Sequence, residues 1–505
     1  MPFRRKLLSR LLLLYMVVWL WTTTAAAEPR LESLNPKARQ VFLATMDWGD
    51  RCWDPQAHLI AYSPHGQDQV RESSVYALGL LLRNRVGDKS RAIKLLDAVL
   101  AQQYHATGLP YDGTFHRNLS EPNPPVNAVI WRDYDPNWRE FIGTTFAIIL
   151  EEYPRSLPQD LAQRMEQSIV LSVQGEINNH RLVPTYTNPA LMYGFLWSYA
   201  AARSHRADWL EESASWQEAV YTLFKKFDAF NEYNSPTYCG VDLYALSLWR
   251  SYGATTHTRK MGSEMEAALW RDEARFYNAN LRNLSGPFDR AYGMDMESYV
   301  SVIGLALRTK LDAHTAPFPD LNPPLDQLDH SGDLWFAPQF AILGVRIPRD
   351  AMRSFSRFQG EKLVRRQITE QRMATAWIGR DVMYGGESTS MTTAIGEEGQ
   401  FHPATIQWRT PSGKNGWVAM TRSPPLDVRA DRSGLVISCS GDLRFMLHAE
   451  GILSTNVQQA EWVLPGLLVR IKTNAKKFVL IPQAHGVEVE YVGTSDMQLS
   501  IQSIP

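Results

Sequence analysis

The stretch Val70-Arg-Glu-Ser-Ser-Val-Tyr-Ala-Leu-Gly-Leu-Leu-Leu82 indicates the fold class of the N-terminal half of the chain. Its apolar side chains recur at the spacing of a helix face, at Val70, Val75, Leu78 and Leu82. This spacing puts apolar side chains on one face of an amphipathic helix, whereas a strand would alternate them between two faces. The sequence therefore predicts a helix here.

The same helical spacing continues from about residue 38 to about residue 344. It predicts further helices over residues 93–100, 141–149, 161–173, 190–201, 216–227, 241–249, 265–277 and 296–307. Helices joined by polar turns pack as helical hairpins, either in an open solenoid or in a closed α/α toroid. The sequence shows no repeat of fixed period, which a repeat solenoid would carry, so a toroid is favoured.

The chain changes character after about residue 349. Short runs of β-type residues bounded by Gly, Asn, Asp or Pro lie at residues 413–420, 434–439, 443–447, 467–471, 478–481 and 487–492. Several such runs close together are typical of an antiparallel β-sandwich. We therefore predict a multidomain chain, α then β, with an α/α toroid over residues 28–348 and a β-sandwich over residues 349–505.

Composition limits the partners of the chain. Its 505 residues include 52 Lys and Arg against 53 Asp and Glu, a formal net charge of −1. This balance argues against a nucleic-acid partner, because nucleic-acid-binding proteins present a broad basic surface. The chain is rich in rings, with 16 Trp, 20 Tyr and 19 Phe. Rings pack in cores, and exposed rings also form flat platforms for sugars.

Residues 1–27 have the layout of a secretory signal peptide. Basic residues precede an apolar run over residues 11–21, and Ala25 and Ala27 are placed for cleavage before Glu28. We expect a secreted, extracellular protein with no stable membrane association; the alternative is an uncleaved signal anchor that tethers the chain to a membrane. Two sequons, at Asn118 and Asn283, predict a glycoprotein.

The cysteines and histidines predict neither a disulfide framework nor a cofactor. Cys52, Cys239 and Cys439 allow one disulfide and one free thiol, and the sequence does not choose the pair. The 12 His form no motif of metal-ligand spacing, so no metal site is predicted. The sequence leaves open a divalent-cation site formed by residues that are distant in sequence.

Three polar segments interrupt the helical half where helices end or begin, at residues 176–190, 230–246 and 288–297. They carry the side chains Asn179, His180, Tyr186, Glu232, Tyr233, Tyr238, Arg290 and Tyr292. Loops at helix ends line the central cleft of a toroid and frequently carry function. These side chains are therefore candidate site residues.

Asn178-Asn-His180 follows a helix, and Pro236-Thr-Tyr238 forms a later turn, all in a helical body that precedes a β domain. This arrangement resembles the superfamily of toroid-plus-sheet polysaccharide lyases that includes the alginate, heparinase and chondroitin AC lyases. The resemblance implies β-elimination at a uronic acid of a polysaccharide. It implies Asn179 as neutraliser of the uronate carboxylate, His180 as base or second neutraliser, and Tyr238 as acid or base. We extend it to substrate binding by Tyr186, Glu232, Tyr233, Arg290, Tyr292 and His402.

The chemistry of β-elimination explains these residue types. The proton at C5 of a uronate is weakly acidic until donors neutralise the neighbouring carboxylate, and an Asn amide is such a donor. A neutral His can take that proton near neutral pH. A Tyr can donate a proton to the leaving oxygen, and a nearby cation such as Arg290 would stabilise its phenolate.

Each of these residues also has a purely structural interpretation. Asn179 and His180 could serve as helix-end capping residues. Tyr238 could be a half-buried turn residue that hydrogen-bonds to backbone, and Arg290 could pair with a carboxylate such as Asp289 or Asp295.

Three other functions stay open on sequence alone. A glycoside hydrolase of the toroid type would need two opposed carboxylates, for which the candidates are Asp135, Glu232, Asp242, Asp295 and Glu297. A non-catalytic secreted glycan-binding protein could keep the same scaffold. An enzyme of small-molecule metabolism, such as a terpenoid enzyme, could do so too, because a fold does not fix a function.

Overall fold

The computed structural model describes residues 28–63, 66–322, 324–396, 399–483 and 486–504. The predicted signal peptide lies outside these residues. In the part of the chain that is described, no helix is both long and apolar enough to cross a membrane.

The described residues form twelve α-helices, most of them in the N-terminal half. Their bounds are α1 Pro36–Arg51, α2 Val70–Arg83, α3 Asp88–Leu100, α4 Trp138–Glu152, α5 Gln159–Asn179, α6 Thr187–Arg203, α7 Ala207–Phe227, α8 Tyr238–Tyr252, α9 Thr256–Phe276, α10 Val302–Arg308, α11 Phe336–Leu343 and α12 Arg349–Ser356. Helices α2/α3, α4/α5, α6/α7 and α8/α9 pack as hairpins. Helices α2, α4, α6 and α8 also pack on one another in that order, and α11 packs on both α8 and α2. The inner ring is therefore closed, and the predicted α/α toroid is confirmed.

Burial separates the inner layer of the toroid from the outer layer. Inner helix α6 is buried on every side from Thr187 to Ala201. Its partner α7 belongs to the outer layer, and its buried residues return at intervals of three or four at Trp209, Ser213, Gln217, Val220 and Phe224. A single buried stripe is typical of a helix whose other side faces solvent. Helices α3, α5, α7 and α9 form this outer layer.

The C-terminal half is an antiparallel β domain. Short pairs precede it, with β1 Trp53–Asp54, β2 Leu59–Ala61 and β3 Asp68–Gln69 in one sheet and β4 Tyr277–Asn278 and β5 Asn283–Leu284 in another. The strands of the β domain are β6 Lys362–Gln367, β7 Met373–Ile378, β8 Val382–Ser388, β9 Ala404–Arg409, β10 Asn415–Arg422, β11 Leu426–Asp431, β12 Gly434–His448, β13 Glu461–Leu464, β14 Leu467–Thr473, β15 Lys477–Gln483 and β16 Gly486–Ser503. Their order is β13-β14-β16-β12-β10-β9-β8-β7-β6, with β11 against β12 and β8, and β15 against β16.

Two long strands join the layers of this domain. The first half of β12 pairs with β11, and its second half pairs with β10. A register shift separates the halves at Gly441, whose φ of 149° suits glycine. Strand β16 follows β12 along both halves. The two layers enclose a core that contains Trp408, Phe445 and Trp462. The predicted antiparallel β-sandwich is therefore confirmed.

The β-sandwich packs against the loops that follow α9. Gln407 on β9 donates to Leu284 O at 3.0 Å, and Asn278 donates to Gly379 O at 2.8 Å. Gly385 on β8 approaches the backbone of Gly286 so closely that a Cβ atom would lie 1.7 Å from its carbonyl oxygen. Glycine is therefore required at residue 385, and the toroid and the sandwich meet through backbone and side-chain contacts.

Some local predictions differ from the structure. The helix predicted over residues 296–307 is restricted to α10, because Ser301 caps its start by accepting from Gly304 N. Strands β6 to β9, β11 and β13 lie outside the predicted runs. Helix α12 begins at residue 349, where the β domain was predicted to start, and the sheet begins only at β6.

Two features tied to secretion can be placed in the structure. Asn283 is 1% exposed, and its amide donates to Met294 O at 2.7 Å, so the folded chain does not present this sequon for glycosylation. Asn118 is partly exposed. The three cysteines are all within the described residues, and all are buried and unpaired.

Candidate active site

A cavity of about 530 Å³, which we call the central cavity, lies where the inner helices begin. Its polar and charged lining residues are Arg71, Asp135, Asn137, Tyr186, Asn188, Thr237, Tyr238, Arg290, Tyr292 and Asp333. Asn137 precedes α4, Asn188 lies in the first turn of α6, and Tyr238 is the first residue of α8. The N-terminal end of a helix carries partial positive charge and free N–H groups, so several of them around one cavity favour an anionic group there.

Tyr238 presents its hydroxyl to the central cavity beside a guanidinium. Arg290 Nη2 donates to the Tyr238 hydroxyl at 2.7 Å, and the Arg290 Cζ atom lies 3.8 Å from the centre of the Tyr238 ring. The Tyr238 hydroxyl also hydrogen-bonds to the hydroxyl of Tyr292. Burial and the bond to Tyr292 raise the pKa of Tyr238 above its ordinary value, although Arg290 acts in the opposite direction. At neutral pH Tyr238 therefore carries its proton.

Arg290 is held in place by a buried carboxylate. Arg290 Nη1 donates to Glu232 Oε1 at 2.6 Å. The other oxygen of Glu232 accepts from the Thr187 hydroxyl and, at 2.9 Å, from Asn188 Nδ2. Glu232 is 8% exposed and Asn188 is 4% exposed. This network ties the start of α6 to the arginine beside Tyr238.

Two carboxyl groups line the same cavity. Burial raises the pKa of Asp333 to about 7, even though Arg71 acts to lower it. Burial likewise raises the pKa of Asp135. The Asp333 Oδ2 atom has no hydrogen-bond partner among the described residues. A carboxyl group that titrates near neutral pH is suited to accept a proton from a substrate.

Tyr292 also lines a second cavity of about 1030 Å³ between the toroid and the β-sandwich, which we call the border cavity. The Tyr292 ring stacks on His330 with 4.3 Å between ring centres. On the sheet side, Trp417 lines the border cavity and stacks on His448 at 5.1 Å. Tyr292 therefore lines both cavities.

The structure brings together five of the predicted site residues. Tyr186, Tyr238, Arg290 and Tyr292 line the central cavity, and Glu232 contacts Arg290 directly. Arg290 pairs with Glu232, whereas the structural interpretation of the sequence had paired it with Asp289 or Asp295.

Asn179 and His180 do not join this group. Neither is among the described residues that line the central cavity. Asn179 Nδ2 donates to Pro110 O at 2.9 Å and to Gly175 O at 2.8 Å. His180 is exposed and ends α5 in the left-handed conformation, with φ of 49°. The expectation that these two residues meet Tyr238 in one cleft is not met, because α5 belongs to the outer layer.

Tyr233 and His402 occupy supporting positions. Tyr233 is 3% exposed, packs against Phe276, and has a hydroxyl with no partner among the described residues. His402 Nδ1 lies 3.0 Å from Met420 O, and burial lowers the pKa of this imidazole. The described lining of the central cavity contains neither side chain, so substrate contact is not supported for either.

Sequence reasoning missed five polar lining residues: Arg71, Asn137, Asn188, Thr237 and Asp333. Each lies at or near the start of an inner helix or of the turn before it. A signal was present for Asn137 and Asn188, because Asn just before or inside a helix start is a common capping residue and such starts face the cavity. Nothing local separates Asp333 from an ordinary surface aspartate.

The carboxylates proposed for a hydrolase are dispersed. Asp135 lines the central cavity, and Glu232 contacts its arginine. Asp295 and Glu297 line the border cavity. Asp242 is fully buried, both its oxygens lack partners among the described residues, and burial raises its pKa well above the ordinary value. Over the described ranges, no three His, Cys, Asp or Glu side chains are grouped as metal ligands would be.

Comparison with known proteins gives a family for most of the chain. Residues 39–345 match the family described as domain of unknown function DUF8769. The chain belongs to the DUF8769 family. The matched DUF8769 region contains the toroid and the central cavity, and residues 361–499, in the β-sandwich, match the domain of unknown function DUF8770. No curated protein matches this DUF8769 chain in sequence.

Two solved structures align with most of this DUF8769 protein. Heparinase III aligns with a TM-score of 0.44 at 9% identity, covering 96% of this chain and 88% of its own. The heparan sulfate lyase HepC mutant from Pedobacter heparinus aligns with a TM-score of 0.31 at 10% identity, covering 93% of this chain and 84% of its own.

Proposed function

We propose that this protein is a polysaccharide lyase that cleaves a uronic-acid-containing glycan by β-elimination. One observation carries the proposal: the Tyr238 hydroxyl lies in the central cavity of the toroid, 2.7 Å from the guanidinium of Arg290. A protonated tyrosine beside a fixed cation can donate its proton and remain stable as a phenolate.

The central cavity offers donors for a uronate carboxylate. The helix starts at Asn137 and Asn188 supply amide groups and partial positive charge, and Arg71 and Arg290 supply cations. A carboxylate held by these groups withdraws electron density from the neighbouring carbon. The proton at C5 then becomes easier to remove, because negative charge develops on the neutralised carboxylate in the transition state.

Two residues of the cavity divide the proton transfers in this proposal. Asp333, with a pKa of about 7, accepts the C5 proton as a carboxylate. The electron pair of that C–H bond forms the C4–C5 double bond, and the bond between C4 and the glycosidic oxygen breaks. The leaving oxygen takes the Tyr238 proton, and Arg290 stabilises the phenolate until Tyr238 regains a proton. Asp333 thus takes the role of base, one of the two roles that the family resemblance implied for His180.

We also propose that the chain is secreted and that its signal is removed before Glu28, on the layout of residues 1–27. N-terminal sequencing of the protein recovered from its producing cells tests this. A mature terminus near Glu28 supports secretion, and a retained terminus at Met1 in a membrane fraction supports the anchor.

The test of the lyase uses polymers that contain guluronate, mannuronate, glucuronate or galacturonate. β-Elimination leaves a double bond conjugated with the carboxylate, and its ultraviolet absorbance reports turnover directly. We expect absorbance to rise on one of these polymers with wild-type protein and not with Tyr238→Phe. No rise on any polymer, together with reducing sugar released from a neutral glycan, would contradict the proposal.

The second candidate is a glycoside hydrolase, and the presence of both Asp135 and Asp333 in the lining of the central cavity favours it. Burial raises the pKa of both groups, and a carboxyl with a raised pKa can act as general acid while a second carboxylate acts as base or nucleophile. A hydrolase would need both carboxyls, whereas the proposed lyase needs only Asp333.

A further inference from the structure

The loop that carries Arg290 into the central cavity is held by the β-sandwich. Phe288 N donates to His402 O at 3.1 Å, and His402 N donates to Phe288 O at 2.8 Å. Two residues earlier in the sandwich segment, Gln400 O accepts from Ala291 N at 3.0 Å. The backbone on both sides of Arg290 is therefore paired with one segment of the sandwich.

The side chain of Gln400 reaches the guanidinium itself. Gln400 Oε1 accepts from Arg290 Nε at 3.0 Å. Arg290 Nη1 donates to Glu232 and Arg290 Nη2 donates to the Tyr238 hydroxyl. A guanidinium is planar, so fixing the Nε and Nη1 donors fixes the direction of Nη2. Without Gln400, the guanidinium would be held only by Glu232 and by Tyr238 itself, the residue that it has to be aimed at.

We propose that Gln400 is a positioning residue: the β-sandwich, through Gln400, sets the plane of Arg290 so that Nη2 points at the Tyr238 hydroxyl. This inference rests on the proposed function of Tyr238 and Arg290. Gln400 is not among the described residues that line the central cavity, so it acts through Arg290 and not on substrate.

The amide suits this position because its acceptor oxygen is uncharged. Glu232 already places one negative charge against Arg290. A second carboxylate at residue 400 would keep the hydrogen bond but cancel more of the positive charge that faces an anionic substrate. Two substitutions at residue 400 can therefore separate the effect of the orientation of the Arg290 guanidinium from the effect of added negative charge.

The kinetic test compares Gln400→Leu and Gln400→Glu with wild type on the cleaved polymer. Loss of the acceptor in Gln400→Leu should lower kcat about tenfold with KM within about twofold, since misorientation affects the reacting groups more than binding. Gln400→Glu should keep kcat within about threefold and raise KM. A kcat for Gln400→Leu within about twofold of wild type would overturn the proposal.

Gln407→Leu is the matched control. Gln407 also reaches from the β-sandwich to a toroid loop, but its amide donates to Leu284 O and Met294 O and not to the arginine. It should lower the melting temperature at least as much as Gln400→Leu while kcat stays within about twofold. An equal loss of kcat in both variants would assign the effect to general loosening between the domains and overturn the proposal.

A second measurement needs no turnover. The free energies of unfolding of wild type, Gln400→Leu, Arg290→Met and the double variant form a double-mutant cycle. If the losses of unfolding free energy in the two single variants are not additive in the double variant, the contact is supported. Additive losses overturn the proposal. If no uronic polymer is cleaved, the proposed function fails and this cycle alone decides whether Gln400 fixes Arg290.

Discussion

The start of α8 and the end of α5 are both helix ends beside a polar turn, but their surroundings differ. Each joins a helix to a polar turn and presents a side chain able to transfer protons, Tyr238 at the first and His180 at the second. Tyr238 lies in the central cavity beside Arg290, whereas His180 is exposed to solvent. The difference arises because α8 belongs to the inner ring and α5 to the outer layer. In this toroid, the helix of the inner ring places its polar end at the central cavity, and the helix of the outer layer does not.

The two regions also differ in whether their buried polar groups line the central cavity. At the end of α5, Arg139 donates to Glu176 at 2.9 Å, and the amide of Asn179 is used by two carbonyl oxygens. These contacts hold the helix end. In the turn before the inner helix α11, Asp333 Oδ2 has no hydrogen-bond partner among the described residues. Unsatisfied buried groups in a cavity are where function is expected.

The sharpest way to test this contrast is Tyr238→Phe, with Tyr233→Phe as its control. Loss of the cavity hydroxyl should lower kcat about a thousandfold, since general acid catalysis contributes between a hundredfold and ten thousandfold. Tyr233 is buried in the core, so its variant should keep kcat within about twofold. Initial rates from the absorbance of the unsaturated product measure both. Equal losses of kcat in the two variants would contradict a specific role for the hydroxyl of Tyr238 in the cavity.

The next largest effect concerns Asp333. With a pKa of about 7, raised by burial, Asp333 must lose its proton to act as base, so activity should fall as the pH drops below about 7. Asp333→Asn should lower kcat about a hundredfold and abolish this acidic limb. Asp135→Asn is the matched control at the same cavity, with an expected loss of less than about tenfold. Large and equal losses in both variants would favour the hydrolase.

A smaller effect is expected at Arg290. Lysine keeps the charge but lacks the planar donors that reach Gln400, Glu232 and Tyr238 together. Arg290→Lys should lower kcat/KM about thirtyfold. Arg206→Lys, at an exposed pair with Asp208, serves as control and should leave kcat/KM unchanged. An unchanged kcat/KM for Arg290→Lys would show that the guanidinium geometry is irrelevant.

The outer end of α5 should give the smallest effects on activity. Asn179→Ala removes the donor of two buried contacts and should cost about 1 kcal/mol of unfolding free energy, with kcat within about twofold. His180→Gly should stabilise the fold by about 0.5 kcal/mol, since glycine adopts the left-handed conformation without strain. Denaturant unfolding and initial rates measure these changes. A hundredfold loss of kcat in a His180 variant would show that this end of α5 takes part in catalysis.

The fold was predictable from sequence because it depends on periodicity. The spacing around Val70 to Leu82 predicted a helix, and α2 spans that stretch. The β-type runs predicted the later strands of the sandwich. Strand β8 was missed because close backbone contacts replaced the usual alternation of side chains: Gly385 lies against Gly286 of the toroid, and Gly386 lies against Val428 of β11.

The site was predictable only for residues that stand in the polar turns beside inner helices. Tyr238, Arg290 and Tyr292 were found because each stands in a polar turn beside an inner helix or loop. Asp333 was missed because it reaches the cavity through a turn before α11, whose place in the ring is set by contacts with α2 and α8. Periodicity does not distinguish inner from outer helices well enough to exclude His180.

The central claim is that the central cavity performs elimination and not hydrolysis. Mass spectrometry of the two fragments released from a defined uronic-acid oligosaccharide tests it most directly, because elimination adds no water to the products. We predict that the fragment masses add up to the mass of the substrate and that one fragment carries the double bond. Fragment masses that exceed the substrate by one water molecule would contradict the account.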